Sequence, residues 1–375
     1  MFARVRLSNW RNFTEVDFTM QNRVFLIGPN ASGKSNLLDV FRFLRELSME
    51  GGGLQPAVKR RGGLASIRSL AARSDTKVSI SVTMDLDGEE WSYLIEMDSD
   101  RKGEVRITKE KVMHGLETLV DRPSLEDKKD PKRLTQCTLQ QVNENFRMRA
   151  MVEFLQSVDY VHIVPQIVRE PDRFPGLVDD PYGADFLERM ASTNANTRKA
   201  RLRRMVQALQ LAVPQLESLE VARDKKGRPH LKGKYRHWRS KGAWQAETTF
   251  SDGTLRLIGL LWALQDGKGP LLLEEPELSL HPYIVRNIPR IFIKAQQRSP
   301  RQVILSTHSP EMLGDEGIGL DEVLVLTPEM EGTRVGKASD IEQITLLMEG
   351  GMRLADAILP YTAPRDSGQL TMLEF

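Results

Sequence analysis

The stretch from Arg23 to Ser35, RVFLIGPNASGKS, limits the possible folds more than any other part of the sequence. A short apolar strand ends at Gly28, the pattern G-x-x-x-x-G-K-S follows, and Leu37, Leu38, Phe41 and Leu44 then recur at helical spacing. Strand, glycine loop and helix in that order form a phosphate-binding loop. Gly28 and Gly33 let the backbone turn tightly enough for successive N–H groups to face an anion, and the helix N-terminus adds favourable partial charge. Lys34 is placed to reach β- and γ-phosphates, and Ser35 to put its hydroxyl on Mg²⁺. A nucleotide site in an α/β core is therefore expected.

The rest of the chain fits such a core. Residues 2–8 and 14–20 alternate as strands, and 77–114 reads as a run of antiparallel strands with Asp87-Gly88 as a hairpin turn. Residues 121–133 read as a charged loop, 138–157 as a helix, and 160–170 as a strand running into a turn. A long basic helix is expected over 183–212, and antiparallel strands over 218–250. From 251 onward helices alternate with the apolar strands LLLEE, VILSTH and VLVLTP, the mark of parallel sheet. No apolar run approaches the roughly 20 residues that cross a bilayer. The single cysteine, Cys137, excludes an internal disulfide framework and fits a reducing cytoplasm. With a formal net charge of +2, bulk charge makes no case for nucleic acid or membrane.

Three further stretches carry chemistry. LLLEEPELSLHP ends an apolar strand on two adjacent carboxylates, and successive strand residues point to opposite faces. Glu274 and Glu275 therefore divide the work, one facing a metal and the other orienting attacking water. VILSTHSP puts His308 at the end of a neighbouring strand, where it can sense a γ-phosphate. FSDGT, residues 250–254, opens an apolar helix with more small and polar groups than capping requires.

In this order the motifs resemble the ABC-type ATPase heads of the RecF/SMC/OLD group, in their predicted-ATPase AAA form. GPNASGKS looks like the Walker A motif of that group, which implies ATP contacts from Gly28, Asn30, Ser32, Gly33, Lys34, Ser35 and Asn36. FSDGT stands where the ABC signature stands, so Ser251 and Gly253 are expected to face ATP held by a second subunit. LLLEE is similar to the Walker B strand, with Glu274 on Mg²⁺ beside Ser35 and Glu275 as the catalytic carboxylate. ELSLHP resembles the D-loop, and His308 the switch histidine. Arg11 resembles the N-terminal basic residue near the phosphates, and Gln166 the Q-loop residue that joins the metal ligands. The signature has Asp252 in place of its second glycine, and Glu274 replaces the usual aspartate. The resemblance implies one ABC-type head over 1–375, a P-loop α/β fold with a mixed core sheet, an antiparallel β lobe and a helical signature subdomain. Its sub-lobes are expected at 1–135, 136–250 and 251–375.

Partners are less legible. Nine Lys or Arg residues lie between 223 and 241, interleaved with Tyr235 and Trp238, with Trp244 just beyond. They suit DNA, a solvated face or an acidic protein. No coiled-coil arm separates the two halves of the ATPase, and the stretch after His308 is too short for a complete TOPRIM nuclease. The resemblance implies a cytoplasmic ATPase that forms an ATP-dependent homodimer and controls a separately encoded effector, in bacterial defence or DNA metabolism. A RecF-like DNA-repair head and a non-hydrolysing ATP-binding scaffold remain open.

Overall fold

The computed structural model describes residues 1–72, 76–100, 103–141, 146–170, 180–236 and 243–363. In chain order it begins with β1 (Phe2–Trp10), β2 (Phe13–Thr19), β3 (Arg23–Ile27), α1 (Lys34–Ser48), α2 (Leu54–Arg60) and α3 (Leu64–Ile67). There follow β4 (Val78–Leu86), β5 (Glu89–Ser99), β6 (Val105–His114), β7 (Glu117–Arg122), α4 (Leu125–Lys129) and α5 (Arg149–Gln156). The middle of the chain forms β8 (Asp159–Val161), α6 (Pro165–Arg169), α7 (Phe186–Ser192), α8 (Ala195–Leu209), β9 (Leu216–Arg223), β10 (Pro229–Tyr235) and β11 (Ala243–Ala246). Then come α9 (Asp252–Ala263), β12 (Leu271–Glu274), α10 (Pro282–Val285) and α11 (Ile288–Arg298). The chain closes with β13 (Val303–Ser306), β14 (Val323–Glu329), β15 (Gly332–Lys337), α12 (Glu342–Glu349) and α13 (Leu354–Thr362). Two compact units result: Met1–Val158 with Arg301–Pro310 and Glu316–Phe375, and Asp159–Pro300 with Glu311–Asp315.

The first unit carries an antiparallel sheet in the order β2-β1-β4-β5-β6-β7. The alternation in its sequence is the cause: β4 buries every second residue from Val78 to Met84, so one face goes to the core. Beside it, β3 lies between β13 and β14, parallel to both, with β15 added antiparallel to β14. Strand β3 buries Val24 to Ile27 without a break, as a strand covered on both faces must. Helix α1 packs its apolar face inward; Phe41 meets Phe2 at 4.7 Å and Phe43 meets Trp10 at 5.3 Å.

Residues 121–133 are more ordered than their charge suggests. Arg122 and Asp127 are buried, and Arg122 bonds both Asp127 and the fully buried Glu110 at 2.8–3.1 Å. Glu110 also accepts from the Thr138 amide and hydroxyl and from Tyr93. Burial still raises its pKa, while the Arg122 bonds and the Ser124 cap lower that of Asp127. Charge alone was misleading because these ions face each other and not water.

In the second unit β12 runs parallel to β8. β9, β10 and β11 form a three-stranded antiparallel sheet. The long helix expected over 183–212 is two helices, α7 and α8, broken at Thr193 and restarted by Asn194, whose side chain caps the Asn196 and Thr197 amides. Of the helix expected over 138–157, the described residues form short 3-10 turns at Thr138–Gln140 and Phe146–Met148 and the α-helix α5 at its end; 142–145 lie outside the described residues.

Candidate nucleotide site

The phosphate loop is held open by its backbone. Gly28, Ala31 and Gly33 have φ of 152°, 62° and 97°, which turns the chain from β3 into α1. A methyl group on Gly33 would lie 2.1 Å from Asn12 Nδ2, and one on Gly28 would lie 2.5 Å from the Leu326 carbonyl. Asn12 is the tie: its Nδ2 donates to the Ser32 carbonyl at 2.9 Å and to Thr333 Oγ1 at 2.7 Å, and its Oδ1 accepts from Asn36 at 2.7 Å. Lys34 lies buried over the loop, with Nζ donating to the Gly28 and Pro29 carbonyls at 2.9 and 3.1 Å. No side chain caps α1, and its first turn holds no acid. The Ser32 hydroxyl is fully buried, with no hydrogen-bond partner among the described residues. A helix start without a capping side chain and a buried ammonium beside a turned backbone fit a nucleotide phosphate.

The other first-unit residues stand as follows. Arg11, at φ 54°, donates from Nη1 to the Ser66 carbonyl at 2.9 Å and lies 3.6 Å from Asp39. Asn30 sits in the loop, and the Asn36 carbonyl accepts from Trp10 Nε1 at 2.9 Å. His308 is half-buried just beyond β13.

The second unit holds the signature helix and the acidic strand end. Ser251 caps α9, with Oγ accepting from the Thr254 amide at 3.2 Å. Gly253 faces the Ser279 carbonyl, 2.5 Å from where a Cβ would lie, so only glycine fits there without a shift. Asp252 accepts from Arg169 at 2.6 Å and from Gln166 at 3.4 Å, so Gln166 touches the signature carboxylate. Gln166 lies on the short helix α6, started by Pro165, and not in the strand-to-turn expected for it. Arg169 donates again to the Phe250 carbonyl at 2.6 Å.

At the end of β12, Glu274 accepts from Tyr160, and its carbonyl lies 3.1 Å from His162 Nδ1. Glu275 follows at φ 43° and Ser279 at 62°. Non-glycine residues in the left-handed region are costly and concentrate at functional sites. Arg256, one turn into α9, has a guanidinium whose pKa is lowered by burial, against the opposing charges of Asp252 and Glu275. Asn12, Tyr160, Arg169 and Arg256 were missed by sequence reasoning.

The basic stretch is partly neutralised. Arg223 pairs with Glu188, and Lys234 with Glu217 at 3.1 Å. Tyr235 turns its ring toward Phe250, 6.2 Å away, while Trp244 is exposed. Trp238, Arg239 and Lys241 lie outside the described residues. Among the described residues, no group of three His, Cys, Asp or Glu side chains is placed to hold a metal ion, and no helix is long and apolar enough to cross a membrane. A P-loop site does not need such a cluster, since Mg²⁺ takes a hydroxyl, a carboxylate, phosphate oxygens and waters.

Fold and loop together define an α/β P-loop ATPase head. The fold matches that of the SMC head bound to the C-winged helix domain of ScpA, with a TM-score of 0.56 at 10% identity over 89% of this chain and 97% of that one. It also matches the Smc heads of Pyrococcus furiosus and Pyrococcus yayanosii, with TM-scores of 0.52 and 0.51 at 10% and 11% identity. Each of those two alignments covers 94% of this chain and all of the other. A family model described as "AAA domain, putative AbiEii toxin, Type IV TA system" matches residues 23–314, and the chain belongs to that family. No curated protein matches it.

Proposed function

We propose that this protein is a cytoplasmic ATP-hydrolysing switch that dimerises on ATP and thereby controls a separately encoded effector. The observation that carries this reading is the uncapped start of α1 with Lys34 folded over it. In this reading the amides of the loop and Lys34 hold the β- and γ-phosphates, with Asn30, Ser32 and Asn36 shaping the cradle. Ser35 and Glu274 hold Mg²⁺, which when bound shields the phosphate charge. Glu275 orients the attacking water and takes its proton, and His308 faces the γ-phosphate. Ser251 Oγ and the Gly253 amide of a second copy complete the phosphate shell, so a single copy has an incomplete site. Asp252, held by Arg169, is kept from opposing that approach.

A separate protein partner has a parallel in two of those SMC heads, each bound to a domain of ScpA. DNA is the second reading, favoured by exposed Lys225, Lys226 and Arg228 at the β9–β10 turn. A defence role is inferred from the family description.

The test is the solution mass of the Glu275→Gln variant with Mg²⁺, with and without ATP, beside a Lys34→Ala control. Doubling of mass that needs both ATP and Lys34 supports the switch. An unchanged mass with ATP bound would turn the reading to a scaffold.

A further inference from the structure

Helix α8 and strand β9 enclose a groove of about 880 Å³, in the range of ligand clefts. Five successive residues of β9, Glu217 to Val221, line it. A strand shows only alternate residues on a face, so five in a row means that its edge faces the groove. That edge is unclaimed among the described residues, because β9 pairs with β10 alone. The run contains no proline, and Gln210, donating to the Leu216 carbonyl at 2.9 Å, closes one end. Natural edges are commonly blunted, and an open one beside a helix accepts an added strand.

The opposite wall is one face of α8. Leu202 and Val206 supply an apolar floor with Leu219 and Val221. Above it stand Lys199 and Arg203, one turn apart, exposed and without an acidic partner among the described residues. The other α8 arginines are engaged: Arg201 on Asp266 at 2.8 Å, Arg204 on Gln265 at 3.0 Å, and Arg198 on the Ala191 and Thr193 carbonyls. On the strand side, Glu217 is offset by Lys234, which leaves Glu220 against the two free cations and Arg198.

We propose that this groove is a docking site for an extended segment of a partner protein, alternating acidic and apolar residues, which adds to β9 as a fourth strand. Main-chain bonds to the β9 edge would hold it, apolar side chains would enter the floor, and carboxylates would meet Lys199 and Arg203. A nucleic acid would find the cations but no use for the strand edge or floor. The proposal does not depend on ATP-driven dimerisation, and its test omits nucleotide.

The probe is a fluorescent octapeptide alternating Glu and Val, titrated against the full chain by anisotropy. Its counterparts are a Lys-Val octapeptide, a Glu-Val octapeptide N-methylated at alternate residues, and a short single-stranded DNA. The Glu-Val peptide is expected to bind at least about tenfold more tightly than the Lys-Val peptide. N-methylation should weaken it by about tenfold or more, and Lys199→Glu with Arg203→Glu should reverse the charge preference. Both changes are on an exposed face, so the melting temperature should hold. Equal binding of both peptides, or undiminished binding of the N-methylated one, overturns the proposal. DNA binding lost in the double variant, with no peptide binding in the parent, overturns it in favour of a nucleic-acid face.

Discussion

Helix α1 and helix α9 begin alike in sequence, each with a glycine among small polar residues, yet their first turns are satisfied in opposite ways. α1 has Gly33 at its cap, no capping side chain, no acid in its first turn and Lys34 folded over it. α9 has Ser251 bonded to its own Thr254 amide and Asp252 in its first turn, neutralised by Arg169. The first end carries no acidic group of its own, and the second already holds one, the Asp252 carboxylate. The difference teaches that helix N-termini are not interchangeable anion sites: what occupies the first four amides decides.

The sharpest way to break the comparison is to remove one group from each end. Lys34→Ala should weaken ATP binding to a single copy roughly a hundredfold, near 3 kcal/mol, by calorimetry. Ser251→Ala should leave that affinity unchanged and abolish ATP-driven dimerisation. If Ser251→Ala weakens binding to one copy as much as Lys34→Ala does, the two ends are equivalent and the contrast fails.

The glycines come next. Gly33→Ala meets both a positive φ and the tied Asn12, whereas Gly253→Ala meets only the Ser279 carbonyl. Each should cost about 1–3 kcal/mol in denaturant titrations, with Gly33→Ala the costlier. A neutral Gly253→Ala would mean that α9 shifts freely away from Ser279.

Freeing Asp252 should have a smaller effect. Arg169→Ala leaves the Asp252 carboxylate without its ion pair, held only by Gln166, and sedimentation should show ATP-driven association weakened by about fivefold to tenfold. Adding Asp252→Asn should restore it; a double variant as weak as the single would mean that Arg169 acts through the Phe250 carbonyl instead.

The smallest expected effect lies in the same unit. His230 is raised above its ordinary 6.5 chiefly by its 2.7 Å bond to the buried Glu247. A raised histidine stabilises the fold while charged, so its contribution is full below 6.5 and lost as pH rises through the folded value. The melting temperature of His230→Gln should therefore fall furthest below the parent in acid and approach it in alkali. A gap that is constant with pH would count against the ion pair.

The alternation of β4, the unbroken apolar run of β3 and the glycine loop were legible because each follows from local geometry: period two, two-sided burial and positive φ. The same local logic placed Ser251 and the carboxylates at element ends. It failed at Arg122 and Asp127, where surface-like charge is buried, and at Thr193, where one helix became two.

By itself the sequence determined the P-loop α/β class, the order of its motifs and the residue types at the phosphate loop, because those rest on neighbours within a few positions. Only the tertiary structure decided that Asn12 ties the loop to Asn36 and Thr333, that Arg169 and Gln166 meet Asp252, and that Tyr160 meets Glu274. Those contacts join residues separated by dozens to hundreds of positions. Spacing along the chain carries no record of them, since they form only when packing brings distant elements together.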